Sequence, residues 1–127
     1  MQQPFIPKTS TKLKRGDFAF LPRSDGRFVP LVFIEHVPRH RATFYGALIQ
    51  AVIDGPNLEQ DGATLTIGEL AMIDIRVFAA ANAPVVGNLA QRLNDDDIRE
   101  RLDRQRIRSV VWGMATPLKY ANALSAD

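Results

Sequence analysis

GDFAFLPRSDGRFVPLVFIEH, residues 16–36, decides the fold. Phe18 and Phe20 alternate around Ala19, and Pro22 closes the run. Ser24-Asp25-Gly26 then supplies turn chemistry before Phe28 to Ile34 resumes with aromatic and β-branched residues. Two such runs joined by an Asp-Gly turn form a β-hairpin. Pro30 has no amide donor, which predicts an edge, a strand start or a bulge in this part of the second strand.

Downstream, ATFYGALIQAVI (residues 42–53) is extended and apolar on both alternating sets, as expected of a strand covered on both faces. DGPNLEQDGA (54–63) is a polar loop with two turn signals. LTIGELAM is expected to hold a short helical turn, and MIDIRVFAA reads as a strand with Ile73, Ile75 and Val77 on one face.

The helix with the clearest local rules starts at Asn94. Asn94 suits the N-cap, and Asp95, Asp96 and Asp97 fill the first turn, where negative charge complements unpaired amides. Leu93 and Ile98 have the spacing of a hydrophobic staple. Asp95 with Arg99, Asp97 with Arg101 and Glu100 with Arg104 are four apart in the favourable orientation. The helix is expected to end near Arg106 and to lie across a sheet on the narrow stripe of Ile98 and Leu102, with IRSVVW as a further strand.

These elements predict an α+β fold, a curved antiparallel β-sheet with one main helix packed across it. The expected core is Phe18, Phe20, Phe33, Ile34, Leu48, Ile73, Ile75, Val77, Ile98, Leu102, Val111 and Trp112. At 127 residues the chain is expected to form one domain, 1–127, with an N-terminal arm (1–12) and a C-terminal tail (114–127).

The composition, 46% hydrophobic and 24% charged, is that of a soluble globular protein. Without cysteine there is no disulfide frame, thiolate nucleophile or sulfur-rich metal site. MQQPFIPKTSTKLKRG has no apolar run behind its basic residues, so it does not read as a signal peptide. No apolar segment approaches the roughly 20 residues of a membrane helix. An intracellular, soluble protein is expected.

The net charge of +2 is unevenly spread. Residues 1–41 hold eight Lys/Arg against three Asp/Glu, residues 42–75 none against five, and residues 76–127 eight against six. Either folding mixes these charges or the surface is polarised and steers charged partners.

Of the chemical constellations, Glu35-His36-Val37-Pro38-Arg39-His40 comes first. Two histidines four apart share a helical face in zinc motifs, but Pro38 lies between them and β-branched residues precede them. The segment reads as an exposed hairpin turn. A metal would need a third ligand from elsewhere, such as Glu35, Asp54 or Asp74, and no spacing selects one. Asp95-Asp96-Asp97 cannot converge on one ion, because successive helical residues diverge by about 100°. No serine sits in a nucleophile elbow and there is no phosphate-cradling glycine loop. The arginines from Arg92 to Arg108 are interleaved with acids and lack aromatic partners, which describes a solvated helix face better than a base-stacking one. Neither catalytic residues nor a cofactor is expected.

The stretch KLKRGDFAFLPRSDGRFVPLVFIE resembles the opening of the immunity protein 26 family. In that family a Gly-Asp leads into a first strand, a proline follows the hydrophobic run, and an Asp-Gly-Arg/Lys-aromatic turn begins the second strand. FYGALIQ is similar to the next family strand, and APVVGN (83–88) resembles the family's Pro-x-x-Gly-Asn segment. The pattern spans about residues 12–90 and rests on order and spacing. Val29-Pro30 and Ala83 depart from it, standing where small residues and an aromatic are usual.

The resemblance implies a bacterial, cytoplasmic immunity protein of a polymorphic or contact-dependent toxin system. Such a protein has no catalysis of its own. It neutralises a cognate toxin domain by direct, one-to-one binding, with no membrane and no direct nucleic-acid contact. Against a nuclease toxin with a basic groove, Asp54, Glu59, Asp61 and Glu69 are the candidate toxin-binding residues, since their segment holds no Lys or Arg. The same acids also suit a loop kept soluble by charge. Two other classes of function remain: a small nucleic-acid-binding β domain using Lys12, Lys14, Arg15, Arg23 and Arg27 as a basic rim, and a metal-dependent enzyme that would need His36 and His40.

Overall fold

The hairpin read from the sequence lies at the middle of the sheet in the computed structural model, which describes residues 3–125. β1 (Asp17–Pro22) and β2 (Phe28–Val37) pair antiparallel, with Phe18 opposite Val32 and Pro22 opposite Phe28. Arg23 N donates to Arg27 O at 2.8 Å across the turn, and Gly26 supplies the positive φ of 84° that the turn requires. A two-residue turn, Pro38-Arg39, leads into β3 (His40–Leu48), with Arg39 at φ 68°.

β4 (Ala71–Asp74) adds antiparallel to β3, and a single helical turn, α1 (Val77–Ala80), follows it. β5 (Val85–Asn88) returns to the far side and pairs antiparallel with β1. After α2 (Asp95–Ile107), the short β6 (Val111–Trp112) joins β4 in parallel, and α3 (Thr116–Ala123) ends the described chain. The result is an open, six-stranded mixed sheet in the order β5-β1-β2-β3-β4-β6, an α+β fold as expected.

Both faces of the sheet are covered, because the central strands are apolar on both alternating sets. One face buries Leu21, Leu31, Phe33, Phe44 and Ile73 beneath α1 and α3, with Phe44 stacked on Phe78 at 5.5 Å. The other buries Phe18, Val32, Ile34 and Ala47 with Leu93 and Ile98, so α2 crosses the opposite face. The Asn94 cap is formed, its Oδ1 accepting from Asp97 N at 3.0 Å. Asp97–Arg101 and Glu100–Arg104 pair as expected, whereas Arg99 approaches Asp96 and Asp95 faces Arg15.

Four local expectations are corrected. Pro30 lies in a central strand: its carbonyl accepts from Ile49 N at 2.9 Å, just past the end of β3. The Ile49 carbonyl, which an amide at position 30 would have met, accepts from Ala51 N at 2.8 Å instead, so the missing donor breaks no ladder bond.

MIDIRVFAA is strand only as far as Asp74, whose carboxylate accepts from Arg76 N at 2.9 Å. This turn, closed by an aspartate side chain, bends the chain into α1. LTIGELAM contains no helical turn; Ile67 forms an isolated antiparallel bridge to Ile49. Val111 is 68% exposed rather than in the core, because the edge strand β6 turns Trp112 inward and its neighbour outward.

Phe20 and Leu102 lie at the core margin, half-buried. The segment read as a C-terminal tail holds α3, which buries Pro117 and Ala121.

Candidate interaction surface

The Glu35–His40 stretch forms the end of β2, the turn and the start of β3. His36 and His40 are exposed, and the His36 ring packs edge-on against Phe33 at 4.9 Å. Glu35 is engaged by Arg15, whose Nη2 donates to Oε2 at 3.0 Å. Among the described residues no three His, Asp or Glu side chains gather where they could hold a metal ion.

The four acids singled out in sequence do not form one patch. Asp54 sits at the root of its loop, 3.8 Å from Arg27. Glu59 and Asp61 share an exposed loop that Arg92 pins, donating from Nη1 to Glu59 O at 2.7 Å and from Nε to Ala63 O at 2.9 Å. The same loop sends Gln60 to Asn88 N at 2.9 Å, which places it over the β5 edge. Glu69 lies near the opposite edge, beside α2, Trp112 and Tyr120.

The two edges of the sheet differ in kind. An uncovered edge offers a row of unpaired peptide groups, and proteins normally mask it. The β5 edge is masked: Phe5 and Val85 exchange backbone hydrogen bonds at 3.2 and 2.7 Å, and Gln60 occupies the Asn88 amide. At the β6 edge, Met72 N donates to Val110 O at 2.8 Å, so alternation of peptide direction turns the Val111 amide and carbonyl away from β4.

Exposed apolar side chains surround that open edge. Ile107 is 88% exposed at the end of α2, Val111 68%, Met114 41% and Tyr120 44%. Tyr120 packs on Trp112 with ring centroids 5.0 Å apart. Two grooves flank the edge and meet at Glu69. One, of about 500 Å³, is lined by Leu70, Arg101, Arg104, Ile107 and Arg108; the other, of about 330 Å³, by Leu48, Gln50, Trp112, Tyr120 and Leu124.

Arg101 is held by Asp97 and the Gly68 carbonyl, and Arg104 by Glu100, while the Arg108 side chain has no partner among the described residues. Gln105 fixes the floor, donating to Leu70 O at 2.6 Å and accepting from Val110 N at 3.1 Å. Aromatic, aliphatic and arginine side chains gathered around a groove are the composition of protein-binding hot spots. Sequence reasoning missed this surface because it assigned Val111 to the core and no element to residues 114–127. Pro117 ahead of a run of helix-compatible residues was the available signal for α3.

The motifs that carry the family resemblance meet in space. Asn88 Nδ2 donates to Asp17 Oδ1 at 3.0 Å and to Arg15 O at 2.9 Å, while its Oδ1 accepts from Ala90 N at 2.8 Å. Gly16, at φ 94°, packs so closely here that a Cβ would lie 2.4 Å from Ala90 N. This clasp joins β1 to β5 and is structural chemistry, with Asp17 3% exposed.

The proposed basic rim is dispersed. Arg23 donates from Nη1 to Ala121 O at 2.8 Å and Leu124 O at 2.7 Å and pairs with Asp25, while Arg15 is held by Glu35. Arg23 and Arg27 lie at the opposite end of β1 from Lys12 and Lys14. The Arg23 guanidinium, followed by the Arg27 amide, holds the Asp25 carboxyl down at about 2. Arg76 likewise lowers the Asp74 carboxyl by hydrogen bonding.

Comparisons with protein-family models, curated proteins and solved structures find no match. Among the described residues no helix is long and apolar enough to cross a membrane.

Proposed function

We propose that this chain is a cytoplasmic immunity protein that binds and neutralises a cognate bacterial toxin domain, one to one, without catalysis of its own. The observation that carries the reading is the open β6 edge with Ile107, Val111, Met114 and Tyr120 exposed around it. A partner that covers the edge gains apolar burial, anchors beside Trp112 and Tyr120, and backbone hydrogen bonds from the outward Val111 peptide. A stable complex of this kind buries about 1,200 to 2,000 Å² in total, more than these side chains alone supply, so the contact extends over Glu69 and the arginine groove.

The resemblance in residues 12–90 supplies the class of partner, and a nuclease is the expected toxin activity. Asp54, Glu59 and Asp61 then form a separate acidic loop, available to the basic groove of such a toxin only if the toxin reaches across the sheet. Glu69 is the candidate acid that lies within the β6 surface.

The immunity reading expects the gene immediately upstream to encode the toxin domain, and the test is co-expression of this chain with that domain. Growth should be rescued by the wild-type chain and lost with Val111→Asp combined with Ile107→Asp, both at exposed positions, in a variant shown to be soluble. Cell death despite soluble wild-type protein would overturn the immunity reading; rescue by the double variant would move the interface elsewhere.

A further inference from the structure

The N-terminal arm and the β2–β3 turn bring together cations that the sequence separates by almost thirty positions. Ser10 Oγ donates to His40 O at 3.4 Å, which lays the 3-10 turn Ser10–Lys12 against the start of β3. Lys8, Lys12 and Lys14 project from the arm, and Arg39 and Arg41 from the turn, all exposed. Two depressions meet at Lys12, which lines one with Lys8 and the other with Lys14 and the largely buried Asp17, and a third, beside the 3-10 turn, is lined by Ser10, Thr11, Arg39 and Arg41.

None of the five side chains has an acidic partner among the described residues. Nearby acids are spoken for: Glu35 pairs with Arg15, and Asp17 is buried in the clasp with Asn88. By contrast, each of the four arginines of α2 faces an acid three or four residues away. Elsewhere most cations face an acid, and those that do not, Arg92, Arg108 and Lys119, lie apart from one another in the sequence; here five without an acidic partner come from two neighbouring segments.

We propose that this face is a second binding surface, one that takes the phosphate backbone of a nucleic acid without reading its sequence. Uncompensated cations on long side chains are what counterion release requires. The face offers little of what a protein partner needs: among the described residues Ile6, 40% exposed, is its one exposed large hydrophobic, whereas the other four lie around β6 and α3. Among the described residues its one aromatic beside the lysines, Phe5, is half-buried against the core rather than presented for base stacking, so contacts to phosphate dominate and little sequence preference is expected. The site differs from the rim expected in sequence, since Arg15, Arg23 and Arg27 are occupied and Arg39 and Arg41 replace them. It does not rest on the immunity reading and revises the expectation of no nucleic-acid contact.

The experiment titrates a fluorescent mixed-sequence DNA duplex with the full chain and follows anisotropy at several salt concentrations. Five phosphate contacts give a slope of log K against log salt of about −4 to −5. Lys12→Gln and Arg41→Gln should each weaken binding several-fold at low salt and reduce the slope by about 1. Arg99→Gln, an exposed and ion-paired control on α2, should change neither. A scrambled duplex should bind as well as the first. No binding at low salt, or binding indifferent to Lys12→Gln and Arg41→Gln, would overturn the proposal. So would preferential binding of a polyglutamate peptide over duplex, which would make the partner an acidic protein.

Discussion

Arg23 and Asp25 tie the first β-turn to the last helix: the guanidinium reaches the Ala121 and Leu124 carbonyls while Asp25 holds it from the side. The Asp25 carboxyl, lowered to about 2 from 3.8, therefore contributes stability that is fully present above 3.8 and is lost as pH falls through about 2. Carbon-detected NMR titration should find this midpoint at about 2 in the wild type and return it toward 3.8 in Arg23→Gln. In the same variant, amide exchange in α3 should accelerate, since two carbonyls at its C-terminal end lose their donor. Unchanged exchange would show that burial of Pro117 and Ala121 alone secures the helix.

At Gly16 the strain is steric. Gly16→Ala places a Cβ in a left-handed conformation against the Ala90 backbone and should cost about 2 kcal/mol or more in urea unfolding, beyond the ordinary effect of a glycine replacement.

Among the elements, α2 is the one whose ends and contacts are most local. Asn94→Ala removes the Asp97 amide's acceptor and should destabilise the fold by about 1 kcal/mol. Gln105→Leu keeps the volume but strands the Leu70 carbonyl and the Val110 amide, with an expected loss of about 2 kcal/mol. Because those groups border β4 and β6, exchange at Met72 and Trp112 should rise with it, whereas Asn94→Ala should leave β6 as protected as before.

What could be read in the sequence follows the same division between local and distant. The β1–β2 hairpin and the start of α2 were legible because their determinants, Asp25-Gly26 and Leu93-Asn94, lie within a few residues of the structure they specify. The His36–His40 turn was legible for the same reason. The end of β4 depended on one aspartate folding back on Arg76, and the acceptance of Pro30 in a central strand depended on where β3 stops, so neither followed from pattern alone. The candidate surface was the least legible. Glu69 was chosen in sequence for its charge, yet its neighbours Tyr120 and Trp112 come from a segment read as strand end and tail, brought there by α3.

The whole molecule sets two surfaces apart. One sheet edge is masked by Phe5 and Gln60, and the other is open and apolar. The uneven charge of the sequence is only partly mixed by folding: α2 pairs its arginines, while the arm and the β2–β3 turn keep theirs free. The two proposed contacts, apolar at β6 and phosphate at the arm, would then be distinguished by their responses to salt. Toxin binding at β6 should weaken little as salt rises, whereas binding at the arm should follow the steep dependence of phosphate contacts.

The measurement that tests the account most directly is calorimetric titration of the domain the immunity reading expects to be encoded upstream, purified, into this chain and into its Val111→Asp variant. One-to-one binding with a negative heat-capacity change, weakened at least tenfold by Val111→Asp while Asp61→Asn has little effect, is the predicted result. Absence of binding by the wild-type chain would contradict the immunity function, and unchanged affinity of Val111→Asp would contradict the β6 edge as its site.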